Sequence, residues 1–271
     1  MVTDFEYDGI LLSNVGYALV TFDGIRSGEI DTDSQITFNH MPMMRGKYQP
    51  FSSYIYEDVL KMELYIGKDM CRIDSSMEKF DYNISVSEMS FLKRWLSRPT
   101  PHVLKAIGDD SYTGVFWRGS FIVEEYTLGD GRIGAHLTFE CDAPFGYMDT
   151  IVVNGEVGAN EEFVYNCTSD EVGYIYPKLN ITLKEDGDLK FGNGHDERET
   201  VIKNCVAGEV ITITENLQIS SSVSAHKIMN DFNFVFYRVS STFRNVENSI
   251  KANLPIEFTI EYNPYAKVVI V

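Results

Sequence analysis

Ser85-Val-Ser-Glu-Met-Ser-Phe-Leu-Lys-Arg-Trp-Leu-Ser-Arg-Pro99 is the stretch whose reading decides the fold. It carries the chain's one clear helix signature, and the rest is patterned as strands and turns. Ser85 and Glu88 have capping-box spacing, in which hydroxyl and carboxylate each satisfy a free backbone N–H at a helix start. Met89, Leu92, Trp95 and Leu96 recur at steps of three and four and so share one face. Pro99 and Pro101 end the helix, because proline has no N–H to continue it and pushes the preceding residue out of the α region. A helix of about 10 residues is only ~15 Å long and is marginal alone. It therefore predicts a sheet for its apolar face to cover.

That sheet is legible on both sides of the helix. Phe5–Gly9, Tyr17–Phe22, Gln35–Asn39 and Asp58–Ile66 precede it as strands, ending at glycine or Asp-Gly turns. Tyr112–Trp117 and Gly119–Tyr126 follow as two strands around Arg118-Gly119. Leu128-Gly-Asp-Gly131 reads as a hairpin turn into Gly134–Cys141. Between the early strands, His40-Met-Pro-Met-Met-Arg-Gly-Lys-Tyr-Gln-Pro50 breaks the rhythm as a long loop. Its three methionines suit either gap-filling against a core or an adaptable contact surface.

Ala143-Pro-Phe-Gly-Tyr147 marks a domain boundary, giving domains 1–148 and 149–271. The second half is short strands with turn signals every 8–12 residues, the pattern of a β-sandwich. Its strands are Ile151–Asn154, Glu162–Asn166, Ile175–Leu183, Leu189–Phe191, Gly208–Thr214, Leu217–Ser220, Asn233–Val239, Ile256–Tyr262 and Lys267–Val271, with a hairpin turn at Glu185–Asp188. The fold class is mainly β: an N-terminal sandwich or α+β domain with one short helix, then a β-sandwich.

The 271 residues carry a net charge of −17. The acidity is spread along the chain: residues 1–150 hold 13 Lys+Arg against 23 Asp+Glu, and residues 151–271 hold 10 against 17. Such a surface repels phosphate backbones and anionic membranes, which argues against nucleic-acid and membrane partners. No segment reaches the ~18 apolar residues of a membrane span. The acidic start Met1-Val-Thr-Asp-Phe-Glu-Tyr-Asp8 does not resemble a signal peptide, so synthesis in a cytoplasm is expected. On that reading Asn83-Ile-Ser85, Asn166-Cys-Thr168 and Asn180-Ile-Thr182 are chance matches to the glycosylation pattern. Cys71, Cys141, Cys167 and Cys205 are far apart with no paired spacing, and read as reduced, buried thiols.

Signature motifs for nucleotide binding, zinc proteases and serine hydrolases are absent. His40, His102, His136, His195 and His226 are scattered. His195, in Gly192-Asn-Gly-His-Asp-Glu-Arg198, sits in the most site-like loop, but a solvated turn is the preferred reading. Asp186-Gly-Asp188 is too short for a calcium loop. Glu124-Glu125 and Glu161-Glu162 point to opposite faces of a strand, unlike a catalytic dyad. No catalytic, cofactor-binding or metal-binding residue is assigned, and the chain is read as a non-enzyme without cofactors.

The order of features resembles the distal tail (Dit-like) protein family of long-tailed, non-contractile phages and prophages. The resemblance rests on Tyr7-Asp-Gly9, Tyr56–Leu64, Arg94-Trp-Leu96, Tyr112–Phe116 and Leu137–Phe145. In the second half it rests on Tyr176–Ile181, Phe243–Ile250 and Ile256–Pro264, so it spans the chain. It implies that the first domain forms a homo-hexameric ring and that the second is a galectin-like β-sandwich. It further implies a structural hub at the virion tail tip. Such a hub joins the tail tube protein to the baseplate hub and its tail-associated lysin or receptor-binding proteins. The Met41–Met44 loop or nearby strand edges are then expected at a protein contact. A carbohydrate-binding module acting at the host surface is the alternative, supported by the 13% aromatic content. A glycoside hydrolase would need two carboxylates facing each other across a cleft.

Overall fold

The computed structural model of the chain describes residues 2–20, 37–39, 49–51, 59–69, 82–129, 131–268 and 270. Its strands and helices, in chain order, begin with β1 (Asp4–Tyr7), β2 (Ile10–Leu11), β3 (Tyr17–Leu19), β4 (Thr37–Asn39), β5 (Gln49–Phe51), β6 (Lys61–Lys68) and α1 (Val86–Leu96). Next come β7 (His102–Ile107), β8 (Val115–Leu128), β9 (Gly131–Cys141) and β10 (Gly146–Met148). The second half holds β11 (Ile151–Val157), β12 (Glu162–Cys167), β13 (Gly173–Ile175), β14 (Lys178–Leu183), β15 (Gly187–Gly192), β16 (Thr200–Cys205), β17 (Val210–Ile213) and β18 (Ile219–Ser221). It closes with α2 (Ile228–Asp231), β19 (Val239–Ser241), β20 (Val246–Ala252), β21 (Ile256–Tyr262) and β22 (Tyr265–Ala266). The chain divides into two compact units, Met1–Gly146 with Val268–Val271, and Tyr147–Lys267.

The first unit is built on an antiparallel sheet whose strands run β2-β1-β7-β8-β9-β6-β3. Helix α1 starts on the expected capping box: Glu88 N–H donates to Ser85 Oγ at 3.2 Å, and Ser85 N–H donates to Glu88 Oε2 at 2.7 Å. Met89, Leu92, Trp95 and Leu96 are its buried residues. Trp95 lies on an aromatic cluster from the sheet. Its ring stacks near Phe5 at 6.2 Å, meets Tyr7 edge-on at 6.4 Å, and donates its Nε1–H to Tyr7 O at 3.3 Å. Phe121 and Phe139 complete the cluster at 4.7 Å from each other.

Three expectations for this unit change. Arg118-Gly119 does not separate two strands, because β8 runs unbroken through it. Gly119 is there for close approach: a Cβ would lie 2.1 Å from Glu140 O on β9. Tyr112 sits in a 3-10 turn ahead of the strand. An additional strand, β7, fills the gap between β1 and β8; its His-Val-Leu-Lys-Ala-Ile sequence lacks clean alternation. The Leu128–Gly131 hairpin forms as expected, with Gly129 at φ 60°. Residues 40–48 of the expected loop, Asp23-Gly24 and Cys71 lie outside the described residues, and Gln49 and Pro50 fall in β5.

The second unit is a β-sandwich. One sheet runs β11-β21-β14-β17-β18, the other β12-β20-β15-β16, and β13 and β19 form a separate ribbon. Alternating residues of both sheets share one core, including Leu179, Ile181, Ile211 and Phe258 from the first and Leu189, Phe191, Ile202 and Ile250 from the second. Glu185–Asp188 is therefore not a hairpin turn: it carries the chain from β14 in one sheet to β15 in the other. Leu183 and Leu189 are buried from opposite sides of the same core, which a hairpin within one sheet would not allow. The expected strand Ile175–Leu183 is split into β13 and β14 at Tyr176-Pro177, where proline removes a ladder N–H. Asn233–Val239 is not a strand for most of its length. It follows α2 as an irregular run in which Phe234 holds φ 59°. Lys267 and Val268 are not in a strand either. Val268 O accepts from Trp117 Nε1 at 3.0 Å, and Ile270 is buried in the first unit's core.

Candidate functional site

The residues singled out from sequence are mostly used to hold loops. Within Gly192–Arg198 the buried Asn193 is the organiser. Its amide donates to Asn248 Oδ1 at 2.6 Å and to Arg238 O at 3.0 Å, and its carbonyl accepts from Ser249 N–H at 3.1 Å. Asp196 pairs with Arg238 Nε at 2.5 Å, not with His195. Burial pushes the Asp196 carboxyl up, but the Arg238 hydrogen bond and charge outweigh it and hold it below the ordinary carboxylate range. Arg238 in turn lies 3.5 Å from the centre of the Tyr174 ring, a cation–π contact. Beside this loop is a cavity of about 290 Å³ lined by Lys190, Arg198, Lys251 and the acids Asp196, Glu197 and Glu199. Its walls hold no aromatic ring, so it offers no stacking face for a sugar.

The carboxylate pairs also divide their duties. Glu125 accepts from Lys93 at 3.2 Å and Arg132 at 2.8 Å, whereas Glu124 meets His136 Nδ1 at 3.2 Å on the other face. Asp186 and Asp188 hold the end of β16 and the loop after it: Asp186 Oδ1 accepts from Ala207 N–H at 2.7 Å, and Asp188 Oδ1 from Asn204 N–H at 3.0 Å. Cys141, Cys167 and Cys205 are free and buried.

That loop carries the one constellation with ligand chemistry among the described residues. Cys205 ends β16, Glu209 precedes β17, and His226 lies between β18 and α2. One donor atom from each lies within 4.8 Å of the others. Glu209 is 1% exposed, and the His226 side chain is 4% exposed. Glu209 accepts from His226 Nδ1 at 2.6 Å, from Val206 N–H at 3.0 Å and from the Ser221 hydroxyl. Burial raises its pKa, yet these donors together hold it below the ordinary range. Burial, reinforced by the Glu209 charge, pushes the Cys205 thiol up to about 11, so it is no nucleophile at neutral pH. His226 Nε2 is buried without a hydrogen bond and faces Asp231 Oδ2 at 3.4 Å. Sequence spacing missed this group because its members come from two loops brought together by tertiary contacts, chiefly the β17–β18 pairing.

Unit 1 also presents apolar side chains to solvent: Val86 and Phe91 on α1, Ile10 on the edge strand β2, and Ile122 and Leu128 on β8. Among the described residues no helix is long and apolar enough to cross a membrane.

Two comparisons place the chain. Residues 1–143 match the family described as phage tail protein N-terminal domain, and residues 145–262 match the phage tail C-terminal domain. Among solved structures, the chain is similar to the Dit protein (gp 19.1) of phage SPP1, described as a paradigm of the hub adsorption apparatus in phages infecting Gram-positive hosts. The TM-score is 0.60 at 12% identity, covering 97% of this chain and 99% of that one. Among curated proteins none matches. With both units accounted for, the chain belongs to this phage tail protein family, a virion tail component with the Dit fold.

Proposed function

We propose that this protein is a distal tail hub subunit that closes into a homo-hexameric ring at the tail tip. There it joins the tail tube to the baseplate, the tail-associated lysin and the receptor-binding proteins. The observation that carries the reading is the pairing, in order and over nearly the whole length, of the two phage tail domains with the Dit fold. The N-terminal unit is the ring-forming one in this reading. Its sheet ends in the short strands β2 and β3, and its helix exposes Val86 and Phe91, which suits burial against a neighbouring copy. A net charge of −17 suits a channel that passes DNA without gripping it. The protein acts as a structural part and carries out no catalysis.

Native mass spectrometry with negative-stain imaging of the purified full chain tests this. A closed six-subunit ring is the expected result. A strict monomer at micromolar concentration, with tail tube protein present, overturns it.

A further inference from the structure

We propose that Cys205, Glu209 and His226 form a zinc-binding site that ties the β16–β17 and β18–α2 loops of the second unit together. The inference stands independently of the ring. The donor set is one thiol, one imidazole and one carboxylate, within 4.8 Å of one another. Sulfur with nitrogen suits zinc, whereas calcium and magnesium take oxygen ligands alone.

The surroundings are built for it. The Cys205–Glu209 loop is pinned by Asp186 and by the Gly208 N–H, which donates to Leu183 O at 2.8 Å, and Asp188 holds Asn204 just ahead of it. The ligands therefore start close to their bound positions. The His226 ring explains the one atom the local hydrogen bonds leave over. With zinc on Nδ1 the ring's remaining proton is on Nε2, which faces Asp231 at 3.4 Å. That is the carboxylate–histidine–metal arrangement that fixes a ligand's tautomer and orientation. Asp231 is itself anchored, its Oδ1 accepting from Asn204 Nδ2 at 2.9 Å. It lies on the far side of the ring from Nδ1, so it orients the ligand and does not bind the ion. Three protein ligands leave one tetrahedral position for water.

Binding must balance charge and space. The Cys205 thiol loses its proton as zinc enters and the His226 ring keeps its single proton, now on Nε2, so uptake releases the thiol proton. Zinc bonds of about 2.0–2.2 Å set N and O ligands roughly 3.3 Å apart. The Glu209–His226 pair, now 2.6 Å, opens by that difference. Ser221 and the Val206 N–H remain as donors to hold the carboxylate.

The test is titration of the chelator-treated full chain with zinc ion alone by calorimetry, and with cobalt ion by absorption. Expected are saturable binding of a single equivalent, proton uptake by the buffer, a raised Tm, and a cobalt–thiolate charge-transfer band. Cys205→Ser removes that band, and His226→Gln weakens zinc binding by about tenfold or more. Asp231→Asn, which keeps every ligand, weakens it by about 10- to 100-fold through the ring's orientation. No saturable binding by the folded wild type overturns the proposal. So does zinc affinity unchanged in both Cys205→Ser and His226→Gln. If Cys205→Ser does not fold, His226→Gln decides alone: unchanged affinity and cobalt spectrum refute the site.

Discussion

Replacing Trp95 with alanine strikes the contact on which the first unit is assembled. The side chain is 4% exposed, stacks near Phe5, meets Tyr7 edge-on and donates to Tyr7 O at 3.3 Å. Truncating a buried Trp or Phe to alanine costs ~3–5 kcal/mol through lost burial and the cavity left behind. The lost hydrogen bond adds about 1 kcal/mol. The expected loss, ~4–6 kcal/mol, is of the order of the whole stability of an ordinary domain, 5–15 kcal/mol. The molecule provides its own reporter. Its two tryptophans, Trp95 and Trp117, both belong to the first unit's core, so indole fluorescence follows that unit alone. In Trp95→Ala the remaining Trp117 is expected to report unfolding at much lower denaturant. Far-UV circular dichroism is expected to retain a separate transition from the second unit, which has its own core. Trp95→Phe keeps a ring beside Phe5 and loses the N–H, and is expected to cost only ~1–2 kcal/mol. A Trp117 transition in Trp95→Ala within ~1 kcal/mol of wild type would refute the view that the helix anchors this unit.

Two further perturbations follow from the same contacts. Gly119→Ala would place a Cβ 2.1 Å from Glu140 O and 2.8 Å from the Phe139 ring. Backbone must then move, and a loss of more than ~1–3 kcal/mol is expected in the same fluorescence assay; wild-type stability would show that β8 and β9 separate freely there. The Asp196–Arg238 pair gives the second unit a pH dependence of definite sign. Because the folded Asp196 pKa is depressed, its stabilisation is full above the unfolded value of ~3.9 and fades as pH falls through the lower folded value. In denaturation series at falling pH, Asp196→Asn is expected to lose less stability on acidification than wild type; parallel curves would sink that assignment.

The local elements were written in the sequence, and so was the family. Ser85, Glu88, the apolar face through Trp95 and Leu96, and the closing prolines set α1 by contacts within a few residues, so no tertiary information was needed to find it. The Leu128–Gly131 hairpin is local in the same sense. Where pairing partners lie far apart, the same reasoning failed. Glu185–Asp188 has turn chemistry, but whether such a turn closes a hairpin or crosses between sheets depends on which core Leu183 and Leu189 enter. Gly119 was legible as a glycine and misread as a break, since only the approach of β9 shows why a side chain is excluded there.

The candidate metal site lay wholly beyond sequence spacing. Cys205 and Glu209 are neighbours on one loop, but His226 reaches them through the pairing of β17 with β18. The sequence determined what local hydrogen bonding and periodicity can determine: the helix, the tight turns and the alternation of a mainly β chain. Only tertiary structure decided which strands share a sheet, which glycine is a close approach, and which polar side chains meet in the interior. Those outcomes depend on burial between distant segments, and no short window of sequence contains both partners.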